Sequence, residues 1–139
     1  MSQYTQDVNI LNNPGNIVKN GEHWFYEVEP SLDDIFKQFE SLAGGYRACF
    51  VNLHSYINNG FNTIHKMVYK WCLTNPDVYV KHMVEWTGID ENQILTLQDG
   101  DLIMKLVGAI ARQEYSINPP DWTNIQAGFD LQESIKKKL

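Results

Sequence analysis

The fold of this chain is organised around residues 99–115, DGDLIMKLVGAIARQEY. Apolar residues recur here at the three- and four-residue spacing of a helix with one buried face, namely Ile103, Leu106, Val107 and Ile110. Glu114 falls at the centre of this apolar stripe, whereas Arg112 points to the opposite side. The pattern therefore predicts a helix over residues 99–115 that carries a carboxylate on its buried face and Arg112 in solvent.

The carboxyl group of Glu114 has two interpretations. If it is buried, the loss of water and the negative end of the helix dipole both raise its pKa. Glu114 would then be protonated near neutral pH, as a general acid requires. If instead the end of the helix reaches the surface, Glu114 is an ordinary solvated side chain.

Length and composition are typical of one globular domain. The chain has 139 residues, of which 43% are hydrophobic and 20% charged, with a net charge of -6. We expect a single domain over residues 1–139, with its core at about 9–130 and a polar tail at 132–139. The negative charge argues against a nucleic-acid partner, because phosphate contacts need Lys and Arg. The sequence also predicts no membrane-spanning segment and no signal peptide.

The cysteine and histidine residues indicate neither a disulfide framework nor a metal site. Cys49 and Cys72 lie beside apolar neighbours in helical patterns, so we expect both to be buried free thiols. The four histidines are scattered, without the spacing of known metal-ligand motifs. No metal and no cofactor are therefore predicted.

Turn signals near the N-terminus predict a small β-structure. The segment NNPG at 12–15 favours a bend. Asn20 and Gly21 separate NIVK from EHWFYEVE, and Asn-Gly favours the tight turn of a β-hairpin. A third short strand is predicted at Ile35–Phe39. Such a small meander is not stable alone, so its apolar side must pack on helices.

From Leu42 onward the hydrophobic period is helical. The first helix ends at residues 58–60, Asn-Asn-Gly. A second is predicted to be capped by Asn62 and to bury Ile64, Met67, Val68 and Trp71. Asn75 and Pro76 favour the start of a third, with Gly88 just past its end.

The remaining segments complete the prediction. Residues 89–98 are expected to be a loop that packs Ile94, Leu95 and Leu97 on the core, and Thr123–Leu131 is expected to form a short last helical segment. The predicted fold class is α+β, mainly α, with a small N-terminal β-meander packed on a bundle of about four to five helices.

Several segments together resemble a family of bacteriophage and prophage proteins that are usually described as virion structural proteins. The resemblance covers roughly residues 9–130. It is carried by NNPGNI at 12–17, FKQF at 36–39, GYRACFVNLHSY at 45–56, GFNTIHKMV at 60–68, VYVKHMVEWTGID at 78–90 and AIARQE at 109–114. It implies a protein of the virion or of the infected bacterial host cell, where it would act from the cytoplasm at the cell wall.

Two of these segments also resemble parts of lysozyme-like glycosidases in exchanged order. In that group a helix ends in the catalytic Glu and a small β-lobe follows, whereas here the β-lobe with NNPGNIVK precedes the helix ending in Glu114. A circular permutation would reconcile the two orders, since chain ends often lie close together at the surface. The resemblance therefore implies a lysozyme-like fold in which Glu114 and the strand starting at Asn16 share one cleft.

The same resemblance implies the chemistry of peptidoglycan cleavage, with Glu114 as the general acid. An inverting mechanism would need a second carboxylate about 6.5 to 9.5 Å away, drawn from Glu27, Glu29, Asp33 and Asp34. A lytic transglycosylase would need none, because the sugar's own hydroxyl attacks.

Further side chains are candidates for binding the glycan. Asn13 and Asn16 are candidates for binding acetamido groups, although turn formation also explains them. Trp24, Tyr46, Tyr56 and Tyr115 are candidates for stacking on sugar rings, although core packing also explains each of them. The leading hypothesis is a virion-associated peptidoglycan hydrolase whose partners are peptidoglycan and other virion proteins. The alternative is a non-catalytic virion structural or cargo protein.

Overall fold

A computed structural model of the protein describes residues 8–136. In chain order, its elements are α1 (Val8–Leu11), β1 (Glu27–Val28), β2 (Gln38–Phe39), α2 (Leu42–Asn58), α3 (Ile64–Trp71), α4 (Pro76–Thr87), α5 (Gly100–Tyr115) and α6 (Trp122–Lys136). The predicted class, mainly α with a small antiparallel β-structure near the N-terminus, is confirmed. The last helix extends beyond the predicted Thr123–Leu131 into the expected polar tail, whose final residues, 137–139, lie outside the described residues.

The predicted hairpin at Asn20–Gly21 is wrong. β1 pairs antiparallel with β2, in the register Glu27 with Phe39 and Val28 with Gln38. Val18 forms a separate antiparallel bridge to Phe36. Both predicted hairpin strands therefore pair with the segment 35–39, of which only Gln38–Phe39 is regular strand.

A change of backbone direction between residues 22 and 27 explains this outcome. Tyr26 has a φ of 66°, in the left-handed region, which interrupts an extended strand. The Glu27 amide donates to the Trp24 carbonyl at 3.1 Å, and the Glu27 carboxylate accepts from the Trp24 amide at 2.9 Å. This turn separates residues 22–25 from β1, whose pairing with β2 continues at the Tyr26 carbonyl, which accepts from the Glu40 amide at 2.8 Å.

α2 lies between α6 and α5 and also contacts β2, whereas α4 packs mainly on α5 and α3 packs on α4. The N-cap residue of α2, Ser41, accepts a hydrogen bond from the Gly44 amide at 3.1 Å, as a capping side chain should. α6 approaches α2 closely at Gly128, where an added Cβ would lie 2.7 Å from the Arg47 amide nitrogen. Within the main core, buried side chains come from α2, α3, α4, α5 and, through Ile125, α6.

The boundaries of α3 and α4 match the sequence pattern except at one cap. Thr63, not Asn62, caps α3, because its hydroxyl accepts from the Lys66 amide at 3.1 Å and its backbone is extended. The predicted start of α4 at Asn75–Pro76 and its end at Gly88 are confirmed, although the Asn75 side chain makes no capping bond.

The loop between α4 and α5 contacts the core less than predicted. Leu95 is buried and Leu97 is half-buried, but Ile94 is 65% exposed. The predicted packing of Ile94 is therefore wrong, because consecutive residues of an irregular loop point in different directions. Cys49 and Cys72 are buried free thiols, as predicted. Among residues 8–136, no helix has both the length and the apolar character that crossing a bilayer would require.

Candidate active site

Glu114 is buried at the end of α5. The apolar stripe of this helix lies in the core, and Glu114 follows it with only 5% of its surface exposed. Burial raises the pKa of Glu114 from the usual 4.5 to about 7, and hydrogen bonds from Asn16 and Tyr79 partly oppose that rise. A carboxyl group with this pKa is protonated in about half of the molecules at neutral pH.

Four side chains form a hydrogen-bonded chain through the Glu114 carboxyl group. The Tyr79 hydroxyl donates to Oε2 of Glu114 at 3.0 Å, and the Asn16 Nδ2 donates to Oε1 at 3.2 Å. The Tyr115 hydroxyl in turn donates to Oδ1 of Asn16 at 2.6 Å. Asn16 and Glu114, which are 98 positions apart, are thus in contact, and a cleft shared by Glu114 and the strand starting at Asn16 stays a prediction.

Asn13 positions Asn16 in this chain. The Asn13 side chain accepts from the Ile17 amide at 2.9 Å and donates to the Ile17 and Lys37 carbonyls at 3.0 and 2.9 Å. The Asn16 amide donates to the Asn13 carbonyl at 3.1 Å, with Asn16 at a φ of 49°. Asn13 is fully buried. Its observed role is to hold the turn, and a contact with substrate stays a prediction.

The other predicted sugar-stacking residues make their contacts elsewhere. Trp24 is half-buried against a small cluster of Ile17, Phe39 and Ala48. Tyr56 packs edge-on against Phe61 and Trp71 in the main core. Tyr46 is 1% exposed and also belongs to that core. Of the six predicted substrate-binding residues, Asn16 and Tyr115 are the two that join the Glu114 hydrogen-bonded chain.

Sequence reasoning missed Tyr79. This residue is 1% exposed and lies on the inward face of α4 beside Val80 and Met83. A tyrosine on a buried helix face needs a partner for its hydroxyl group, which is a usable signal. The pattern does not reveal that the partner is Glu114, 35 positions further on.

The predicted solvent position of Arg112 is wrong. Arg112 does not extend into solvent, since it is half-buried and its guanidinium lies 4.1 Å from the centre of the Trp86 ring. The stacking contact explains the error, because arginine covers aromatic faces.

Burial, with a smaller contribution from Glu114, raises the pKa of the Cys49 thiol to about 12. This thiol is therefore protonated and is not a nucleophile.

Three of the candidates for a second carboxylate are engaged within the N-terminal β-structure. Glu27 accepts from the buried Lys37 ammonium at 2.8 Å. Glu29 lies 3.1 Å from Nδ1 of His23. Asp33 accepts from two backbone amides, which lower its pKa.

His23, Glu27 and Glu29 bring potential metal-ligand atoms within 4.8 Å of one another. The Lys37 ammonium, bound to Glu27, already supplies the positive charge there. The group therefore forms a structural ion-pair cluster of the β-structure, and we assign it no metal.

No protein-family model matches the chain, and no curated protein has significant similarity to it. The chemistry of the site is accordingly derived from its own residues.

Proposed function

We propose that this protein is a virion-associated enzyme that cleaves the glycan strand of bacterial peptidoglycan, with Glu114 as the general acid. The observation that carries the proposal is a carboxyl group sheltered from water, with a pKa of about 7, held between Asn16 and Tyr79. Cleavage of a glycosidic bond requires a proton on the leaving oxygen, and a carboxylic acid with a raised pKa supplies it.

The two hydrogen bonds suit a group that changes its charge during the reaction. Both Asn16 and Tyr79 donate to the carboxyl oxygens, so they stabilise the carboxylate that remains after the proton leaves. Burial stabilises the acid form before that step. The opposition of these effects keeps the pKa near neutral pH, where a general acid is most effective.

Tyr115 is the proposed glycan contact nearest to the acid, and Asn16, which has no exposed surface, is proposed to position the Glu114 carboxyl group. Tyr115 is half-buried, and its hydroxyl orients the Asn16 amide. A half-buried tyrosine beside the acid offers a ring for apolar contact with a sugar and a hydroxyl group that a substrate can also reach.

The proposed mechanism is that of a lytic transglycosylase rather than an inverting hydrolase. An inverting hydrolase needs a second carboxylate that is free to activate a water molecule. Glu27, Glu29 and Asp33 bind other partners, as described above. In a lytic transglycosylase, Glu114 protonates the leaving oxygen as the glycosidic bond breaks, the sugar's own hydroxyl bonds to the anomeric carbon, and the hydroxyl proton returns to the Glu114 carboxylate. No second carboxylate is then needed to activate water.

The placement in a virion and the choice of peptidoglycan as partner are supported by the sequence resemblance. Glu114 itself is the last residue of AIARQE, and Asn16 belongs to NNPGNI, so the two segments that suggest a lysozyme-like enzyme meet in the hydrogen-bonded chain. An enzyme in the phage particle or in the host cytoplasm would act on the wall during entry or lysis.

One observation favours the alternative, a non-catalytic virion structural or cargo protein. Both carboxyl oxygens of Glu114 are hydrogen-bonded and the residue is 5% exposed, as in a purely structural link between the N-terminal turn and the helices. Such a link would hold the fold together without any reaction.

Digestion of isolated cell walls separates these two functions. We expect the purified protein to release soluble fragments that carry an anhydro sugar in place of a reducing end. The rate of release should fall about tenfold per pH unit above pH 7, because Glu114 loses its proton. Mass spectrometry of the fragments and a reducing-end assay measure both features. No release at any pH between 5 and 8 would leave only the structural role.

A further inference from the structure

A groove follows one face of α2. Two cavities of about 350 and 410 Å³ share Arg47, Val51 and Ser55 in their walls. The walls of these two cavities do not include Glu114, Asn16, Tyr79 or Tyr115. The groove is therefore separate from the candidate active site.

Within residues 8–136, Arg47 is a buried cation without an anionic partner. It is 4% exposed, and its Nε has no hydrogen-bond partner. The guanidinium lies 5.2 Å from the centre of the Phe25 ring, and it forms no ion pair with a carboxylate of the described residues. An arginine stays charged in proteins, and an unpaired buried charge is costly. Such a side chain at the wall of an open groove favours a bound anion.

A buried acceptor lies in the wall of the same cavity as Arg47. Gln132 is 4% exposed, and its Nε2 lies 3.1 Å from Nδ1 of His54. The other end of the amide, Oε1, has no hydrogen-bond partner. The cavity thus combines a cationic donor with an unsatisfied acceptor, which would match a ligand with a carboxylate and a nearby hydroxyl or N–H group.

We propose that this groove binds the carboxylate of a small ligand that carries a hydroxyl or amide donor beside it. Arg47 binds the carboxylate, and Gln132 accepts from the neighbouring donor. Trp24 and Phe25 line the adjoining cavity and give the apolar part of the ligand a surface. Glu22 also lines that cavity, but it is exposed and accepts from the indole of Trp24 at 3.4 Å.

Two sources supply this chemistry, namely an acidic amino sugar and the C-terminal residue of a short peptide. The site does not depend on Glu114 being catalytic. The probes are N-acetylmuramic acid and N-acetyl-D-alanyl-D-alanine, each compared with a neutral counterpart, N-acetylglucosamine or the dipeptide amide. Chemical-shift titration of the full chain measures the affinity of each.

We expect at least one acid to bind, with shifts at Arg47 and Gln132, and its neutral counterpart to bind about tenfold or more weakly. Binding of N-acetylmuramic acid would identify the ligand as an acidic amino sugar, and binding of N-acetyl-D-alanyl-D-alanine would identify it as the C-terminal residue of a peptide. Arg47→Met should weaken this binding about tenfold or more, and Gln132→Met should weaken it to a smaller extent. Millimolar concentrations of both acids without shifts at these residues, or equal binding of acid and neutral counterpart, would overturn the proposal.

The thermal midpoint distinguishes a binding role from a structural one. Since Arg47→Met removes an unpaired buried charge and keeps an apolar stem, we expect an unchanged or higher midpoint. Should that variant fail to fold, Arg47→Lys keeps the charge but loses the planar guanidinium group that binds a carboxylate through two hydrogen bonds. Binding of the acid should therefore still weaken. Native affinity in both Arg47→Lys and Gln132→Met would overturn the proposal.

Discussion

Glu114→Gln is expected to lower the rate of cell-wall cleavage by about 100- to 10,000-fold, the usual contribution of a general acid. The amide has nearly the same shape, and it can accept from Asn16 while its NH₂ group donates to the Tyr79 oxygen, but it has no proton to transfer to the leaving sugar. The measurement is the initial rate of fragment release from isolated walls, at equal concentrations of folded protein.

The matched control is Asp101→Asn, which makes the same chemical change at an exposed position on the same helix. Its rate should equal that of the native protein. A Glu114→Gln protein that cleaves walls at the native rate would remove Glu114 from the mechanism.

The stability of the same variant has a defined pH dependence. The folded state holds the Glu114 proton up to a pKa of about 7, whereas the unfolded chain loses it near 4.5. The raised pKa of Glu114 therefore contributes fully to the free energy of unfolding below pH 4.5, and this contribution is lost as the pH rises through 7. At about 1.4 kcal/mol per pKa unit, the free energy of unfolding of the native protein should fall by about 3 kcal/mol. The Glu114→Gln variant should not show this fall, because its amide does not titrate. Denaturant titrations of both proteins at pH 5 and pH 8 measure the difference.

Gly45→Ala is expected to lower the free energy of unfolding by about 3 kcal/mol, as overpacking of a tight contact does. A Cβ on Gly45 would lie 1.8 Å from the Asn12 carbonyl oxygen and 2.8 Å from Cδ of Pro14. The turn containing these residues would have to move away from α2, and it carries Asn16 with it. We therefore expect the hydrogen bond to Glu114, and with it wall cleavage, to be weakened as well.

Gly100→Ala is the control for this substitution. Its added Cβ would meet Phe129 at 3.5 Å, an ordinary contact, at the start of α5. Alanine is a better helix former than glycine, so the stability of this variant should stay within about 1 kcal/mol of native. Urea titration compares the two variants, and equal stabilities would show that the turn does not need its close approach to α2.

The helical period placed Glu114 on the apolar stripe of α5 but left open whether the end of the helix is buried or solvated. The structure decides for burial, with Glu114 5% exposed. Its contact with Asn16 came from a different kind of reasoning, the resemblance to a permuted glycosidase, since no local pattern relates residues 98 positions apart.

The local signals failed where tertiary contacts compete with them. Asn20–Gly21 favours a hairpin in isolation, but the segment 35–39 offers pairing partners to both flanks. Asn62 and Thr63 are both good caps, and only the backbone conformation identifies Thr63. Tyr79 was missed because a hydroxyl on a buried face signals a need for a partner without naming it.

The central claim is that the carboxyl group of Glu114 is sheltered from water and protonated near neutral pH. Carbon-13 NMR of glutamate-labelled protein, with Glu114→Gln to assign the resonance, follows this carboxyl group directly as the pH changes. The structure predicts a midpoint of about 7. A midpoint near the ordinary value of about 4.5 would contradict the claim and with it the role of Glu114 as a general acid.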